Sequence, residues 1–156
     1  MSDFAVQEAL EANDRERRRL ILLAGDLDEA ALLEPMHGLW TVAAVLAHLA
    51  YWDRFARILL DRWASGAPHE TDMLPPWHDH AVNDALLDAS LALPPREAVR
   101  LAGEAAAAID ARLGALAPHE AARLLTDHDA AWLLRRHRHR AEHLDEIEGA
   151  LGLRGC

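Results

Sequence analysis

The segment WLLRRHRHRAEHLDEIEGAL, Trp132 to Leu151, carries three histidines, His137, His139 and His143. A neutral imidazole offers a lone pair to a divalent transition metal. His139 and His143 are four residues apart, so on a helix they share one face, with Cβ atoms about 5–6 Å apart. At about 100° per residue, His137 is turned about 160° from His139 and points elsewhere. Only two of the three can therefore share a site. An i, i+4 histidine pair is commonly a coincidence on a solvated face. Here the stripe through Trp132, His139, His143, Ile147 and Ala150 reads as the inward face, with Arg136 also on it, so polar residues interrupt an apolar stripe.

A third histidine lies upstream, in LWTVAAVLAHLAYWDRFARILLDRW. Val45, Trp52, Phe55 and Leu59 fall within about 60° of His48 around the helix, while Asp53, Arg54, Arg57 and Asp61 lie more than about 100° away. His48 thus sits mid-way across an apolar face. A ring nitrogen left unpaired in a core costs about 1–3 kcal/mol, so His48 is either a core histidine satisfied by hydrogen bonds or a ligand. One inward histidine on one helix and two on another supply three ligands and leave coordination positions open, the pattern of a catalytic rather than a structural metal site. Imidazole suits zinc, nickel, copper and iron alike.

Rival chemistries fare less well. HRAEH, His139 to His143, also fits H-x-x-E-H, a metalloprotease pattern, but that pattern needs a further ligand well downstream, and thirteen residues follow His143. Cys156, at the C-terminus, is a poor candidate nucleophile. His78 and His80 in WHDH read as an incidental loop pair. Glu142, about 60° from His139, is a weak candidate base. Asp53 is expected in solvent, and Trp52 and Trp132 are expected to fill core. No catalytic residue is assigned.

The positioning elements are helices. Apolar residues recur at helical spacing, alanine, leucine, glutamate and arginine dominate, and convincing strands are absent. Four main helices are expected in an all-α bundle. The first runs from about Asp3 to Leu23, capped by Ser2 or Asp3. Pro35 and Gly38 then break the chain. The second begins at Thr41, a good N-cap, with Trp40 placed to staple against Val45, and ends near Ser65-Gly66. GAPHETDMLPPWHDH is a proline-marked loop, followed by a short helix over Ala81 to Ser90. The third starts at Pro94 and Pro95, its alanines permitting close helix approach. After a short HEAARLL segment, Thr126 or Asp127 caps the fourth, which ends near Gly152.

The 156 residues fit one domain. With 16 Lys and Arg against 26 Asp and Glu, the formal charge is −10, which excludes a dedicated phosphate-backbone binder. The arginine clusters Arg15, Arg17–Arg19 and Arg135, Arg136, Arg138, Arg140 read as solvated helix faces. One cysteine permits no disulfide within the chain. No signal-like core and no run near the ~20 apolar residues of a membrane span are present. A cytoplasmic location is expected.

The motifs also carry a family resemblance. LWTVAAVLAHLAYWD, with a tryptophan, a Ser/Thr cap, an apolar run to His-Leu and then Trp-Asp, resembles the second-helix signature of the DinB-like (damage-inducible) superfamily. HRAEHLDEIEGAL resembles that family's last-helix pattern, His-x-x-x-His followed by apolar and acidic residues. The resemblance covers nearly the whole chain. It implies an up-down-down-up four-helix bundle, residues 1–156 as a single DinB-like domain, with a long connection between the second and third helices. It also implies frequent homodimers and a divalent metal (Zn, Ni or Fe) on His48, His139 and His143. Some relatives are thiol-dependent transferases or isomerases using bacillithiol, mycothiol or glutathione. The chain shows no extra domain of the kind carried by mycothiol-dependent isomerases, so that particular activity is not expected of it.

Three functions follow. The first is a metal-dependent enzyme acting on a small molecule, such as a thiol S-transferase or a hydrolase. The second is a non-enzymatic small-molecule-binding or stress-protection bundle, with the GAPHETDMLPPWHDH loop as a lid. The third is a purely structural bundle whose histidines are satisfied by hydrogen bonds.

Overall fold

The computed structural model describes residues 2–67, 78–127 and 130–153. Among these the chain forms α1 (Ser2–Asp26), α2 (Glu29–Leu32), β1 (Pro35–His37), β2 (Trp40–Thr41), α3 (Val42–Ala64), α4 (His78–Ala92), α5 (Pro95–Gly114), α6 (Pro118–Thr126), α7 (Ala131–Leu134) and α8 (Arg136–Ala150). The expected all-helical character holds, with three corrections. Pro35 to Thr41 forms a small antiparallel hairpin, pairing Pro35 with Thr41 and His37 with Trp40. It turns at Gly38, whose φ of 54° favours glycine. α4 begins at His78 rather than Ala81. The expected last helix is interrupted: Thr126 ends α6, Asp127 is its C-cap, and Arg135 (φ −98°, ψ 49°) separates α7 from α8.

Local chemistry accounts for the starts. The Thr41 hydroxyl accepts from the Ala44 N–H at 3.2 Å, and Asp28 accepts from Ala31 N–H at 2.8 Å. Prolines open α5 and α6, where a missing N–H costs nothing. The Val42 N–H donates to Glu34 O at 3.1 Å, fixing the direction in which α3 leaves the hairpin. Trp40 packs against the core cluster that contains Val45.

α3 packs along α5 and also meets α4 and α8, while α1 packs on α5, α8 and α6. Ala98, Ala102 and Ala106, spaced by four on α5, are buried with Ala43, Ala47 and Ala50 of α3 in one cluster, which is how small side chains let two helices approach. The core has two parts. One holds Leu20, Leu32, Leu46, Leu49, Leu144 and Ile147; the other holds Ala9, Leu60, Ile109, Leu113, Leu133 and Leu134.

Polar residues lie near where the two parts adjoin along the chain: Asn13 on α1 and Asp53 on α3 between members of the two, Asp110 on α5 next to Ile109, and Arg136 with Arg140 on α8 ahead of Leu144. Asp53 Oδ1 accepts from Arg136 Nε at 2.8 Å, and Oδ2 accepts from Arg140 Nε at 3.0 Å. Arg140 forks onto Asp110 at 2.8 and 3.0 Å and donates to Asn13 O at 3.1 Å. Asn13 donates to Leu134 O at 2.8 Å and accepts from the His137 N–H at 2.7 Å. Arg17 Nε adds a bond to Asp110 at 3.1 Å. Among the described residues no buried side-chain nitrogen or oxygen lacks a partner.

This layer corrects two expectations. Asp53 is 1% exposed rather than solvated, and Arg140 is 0% exposed rather than part of a solvated basic face. Charge on a helix ordinarily faces water; these charges instead face one another. Replacing Asp53 by alanine strips Arg136 of its carboxylate in a dry setting, so Asp53→Ala is expected to lower unfolding stability by about 3–5 kcal/mol in urea titrations. Arg57→Ala, which removes a half-exposed pair with Asp61, should change it by no more than about 1 kcal/mol.

Candidate metal centre

α3 delivers His48 from the middle of its buried N-terminal half, and α8 delivers His139 and His143 one turn apart. The three residues each offer a ring nitrogen, and these atoms all lie within 4.8 Å of one another. His48 Nε2 and His139 Nε2 are 3.0 Å apart. The ring of His143 lies 4.7 Å, centroid to centroid, from each of the other two. Helical spacing and the family resemblance both point to these residues, and the fold brings all three together. It is the one such group of three or more His, Cys, Asp or Glu among the described residues.

The layout around α8 differs from the expected stripe. Arg136, Arg140, Leu144 and Ile147 are its buried residues. His139 and His143 flank that row and are half-buried, and Ala150 is exposed. The histidines therefore stand at the edge of the core, where a ligand can reach them.

The surroundings keep His48 and His139 neutral. Burial, with the neighbouring His143 and Arg136, lowers the pKa of His48 from 6.5 to about 4. Burial, reinforced by Arg136, His143 and His48, lowers that of His139 to about 2. Neutral rings are what a metal ion requires. Behind the rings, His143 Nδ1 lies 2.7 Å from Glu146 Oε2, a carboxylate–histidine arrangement common behind metal ligands. Asn83 Oδ1, which accepts from the Trp52 indole N–H at 3.0 Å, supports His48. Arg136 Nη2 lies 3.1 Å from His139 Nδ1, and its guanidinium carbon sits 5.2 Å from the centroid of the Trp132 ring. Three convergent imidazoles form a donor set that fits a borderline transition metal.

Aromatic rings wall the cluster. Trp40 meets His48 edge-on at 5.8 Å, and Trp52 does so at 6.4 Å. Trp52 continues to Phe55 and then Trp132, at 5.4 and 6.4 Å. Trp52 and Trp132 are half-buried, so they line the edge rather than fill the core. From the sequence Trp40 reads only as a staple to α3, and Asn83 carries no signal. The hairpin places the first, and a helix distant in sequence places the second.

The remaining candidates lie apart. His137 turns toward α1, with Nδ1 3.1 Å from Asn13 Oδ1, as its angular offset required. Glu142 is exposed, as is His80, while His78 is half-buried. Cys156 and residues 68–77 of the expected lid lie outside the described residues.

Lowered histidine pKa values fix the sign of a pH effect. The unfolded chain takes up protons near pH 6.5 that the folded rings refuse until about pH 4 or below. The stability contribution of the neutral rings is therefore complete above about pH 6.5 and is lost as pH falls toward 4. The melting temperature of metal-free protein should fall over that window, and His48→Leu should flatten the slope between about pH 6.5 and 5. An unchanged slope would mean that His48 is not buried neutral.

Among known proteins, the family model described as mycothiol maleylpyruvate isomerase N-terminal domain matches residues 14–147. No curated protein and no solved structure matches the chain. No helix among the described residues is long and apolar enough to cross a membrane.

Proposed function

We propose, from the premise that the chain belongs to the mycothiol maleylpyruvate isomerase N-terminal domain family, within the DinB-like superfamily, that it is a divalent-metal-dependent enzyme acting on a small molecule with a low-molecular-weight thiol as cosubstrate. The observation that carries this is the convergence of His48, His139 and His143 within 4.8 Å. These residues would hold zinc, nickel or iron. Such an ion, when bound, favours the thiolate form of a thiol or the hydroxide form of water. The chain's own part is to keep His48 and His139 neutral by burial and to orient His143 through Glu146. The wall formed by Trp40, Trp52 and Trp132 would hold an apolar group beside the cluster.

Thiol S-transfer is the reaction we favour, with mycothiol first among the thiols because the family is described by it; bacillithiol and glutathione follow, and hydrolysis is the alternative reaction. Stoichiometric ligand binding without turnover is the second reading. It rests on the same cluster and on the absence of an assigned catalytic residue.

The remaining proposals concern the molecule as a whole. Residues 1–156 form one domain. Its long helices α1, α3, α5 and α8 run up-down-down-up, as supported by the order in which α1, α3, α5 and α7 with α8 meet the two halves of the core. It is a cytoplasmic homodimer, without nucleic-acid or membrane partners. Light scattering at micromolar concentration should give twice the 17.3 kDa chain mass; a monomer would remove the dimer.

The functional test has two arms. Purified wild-type protein should bind one zinc or nickel ion per chain. His143→Ala should weaken that binding by more than about 100-fold, beyond the about 10–100-fold typical of changes behind the ligands, while His137→Ala should leave it intact. With metal, mycothiol and a chlorinated arene, a thioether adduct should accumulate over many turnovers. Metal binding with no adduct from any of the three thiols would favour the binding-protein reading.

A further inference from the structure

The last helix breaks at Arg135, whose ψ of 49° is turned by about 90° from the helical value. Nothing local calls for the break. The residues from Ala131 to Arg138 include no proline or glycine, and leucine and arginine are good helix formers. In an unbroken helix the His137 N–H would donate to Leu133 O and the Arg138 N–H to Leu134 O, each four residues back. Here Asn13 of α1 stands in for both partners. Its Oδ1 accepts from the His137 N–H at 2.7 Å, and its Nδ2 donates to Leu134 O at 2.8 Å. The Arg138 N–H donates to Arg135 O instead, at 3.2 Å. A side-chain amide carries a donor and an acceptor on one planar group, whereas a carboxylate could not donate to Leu134 O. Asn13 is 1% exposed, so water does not compete for these bonds, and Arg140 Nη1 donates to its backbone carbonyl at 3.1 Å.

We propose that Asn13 is a positioning residue that latches this break, its side-chain amide replacing two rungs of the helix so that α7 and α8 keep separate directions. The separation matters because the two pieces bring different groups to the histidine cluster. α7 carries Trp132, whose ring stacks on Phe55 at 6.4 Å between centroids. α8 carries His139 and His143 toward His48, and Arg136 toward Asp53 at 2.8 Å. A turn of about 90° at the one residue between them cannot be undone while both pieces hold these contacts. With the amide gone, the His137 N–H and the Leu134 carbonyl lose their partners in a dry setting, where each unpaired group is costly. The ladder of an unbroken helix offers both a replacement, Leu133 O for the one and the Arg138 N–H for the other. The helix then closes, and the Trp132 wall and the histidine pair shift relative to one another. The influence of Asn13 on His139 and His143 thus runs through the α8 backbone.

The latch stands apart from the metal reading above; its effect on metal affinity rests on that reading. The ¹³Cα chemical shift of Arg135 in metal-free protein reports whether that residue is helical. In wild type it should lie outside the helical range while those of Leu133 and Arg138 lie within it; a helical Arg135 overturns the proposal without recourse to any variant. In Asn13→Leu, which fills similar space with neither donor nor acceptor, the Arg135 shift should move into the helical range. Zinc affinity, measured by competition with a chromophoric chelator, should fall by about tenfold or more, the size of effect usual for groups that support ligands. Should Asn13→Leu fail to fold, Asn13→Asp keeps the shape but cannot donate to Leu134 O, and its Arg135 shift should move in the same direction. Leu60→Ala, which loosens the half of the core that holds Leu134, should leave the Arg135 shift where it is. A shift unmoved in the folded Asn13 variant, or moved equally by Leu60→Ala, contradicts the latch. A moved shift with undiminished zinc binding contradicts the positioning role. If wild type takes no zinc, the metal reading fails, while the Arg135 shift still decides the latch.

Discussion

One carboxylate between two guanidiniums organises this protein. Asp53 spends one oxygen on Arg136 and the other on Arg140, at 2.8 and 3.0 Å, and Arg140 passes the connection to Asp110 and the Asn13 backbone. Through these bonds α8 is tied to α3, α5 and α1 at a single level. A buried ion pair is weak evidence for net stability, because removing charges from water costs several kcal/mol per ion and a well-packed apolar core does as well or better. What such a layer supplies is register. The fork from Arg140 to Asp110 accepts one geometry, so a sliding or rotation of α8 would break several charged bonds in a dry setting. A purely leucine and alanine interface would tolerate such a shift far better.

That register is what the histidines need. His139 stands between the two anchored arginines in sequence, and His143 follows Arg140 by three residues. His48 lies five residues before Asp53 on α3. Every member of the cluster is thus within about a turn and a half of a residue in the network, and the 3.0 Å approach of His48 and His139 follows from the same anchoring. The network is also electrically coupled to the site. Arg136 contributes to lowering the pKa of both His48 and His139, keeping them neutral, while its Nη2 occupies the back of His139.

Much of this was legible in the sequence. Helical spacing picked out His48 and the His139–His143 pair, turned His137 away, and located the start of α3 at Thr41, because these depend on local geometry that a single helix enforces. What was not legible depends on charges meeting across helices. Asp53 lies about 140° from His48 around α3, which reads as solvent when water is assumed to be the only partner for a carboxylate. Arg140 looks like one more residue in a basic run until Asp53 and Asp110 are placed beside it. The hairpin at Pro35 to Thr41 is too short to show a strand period, and the break at Arg135 has no proline or glycine to announce it.

The central claim is that His48, His139 and His143 together hold a divalent metal. Anomalous diffraction from crystals of zinc-loaded protein, collected on either side of the zinc edge, tests it most directly. One strong peak per chain is expected, about 2.0–2.2 Å from a ring nitrogen of each of the three histidines. A loaded crystal with no peak at the cluster, its zinc held elsewhere, would rule that out.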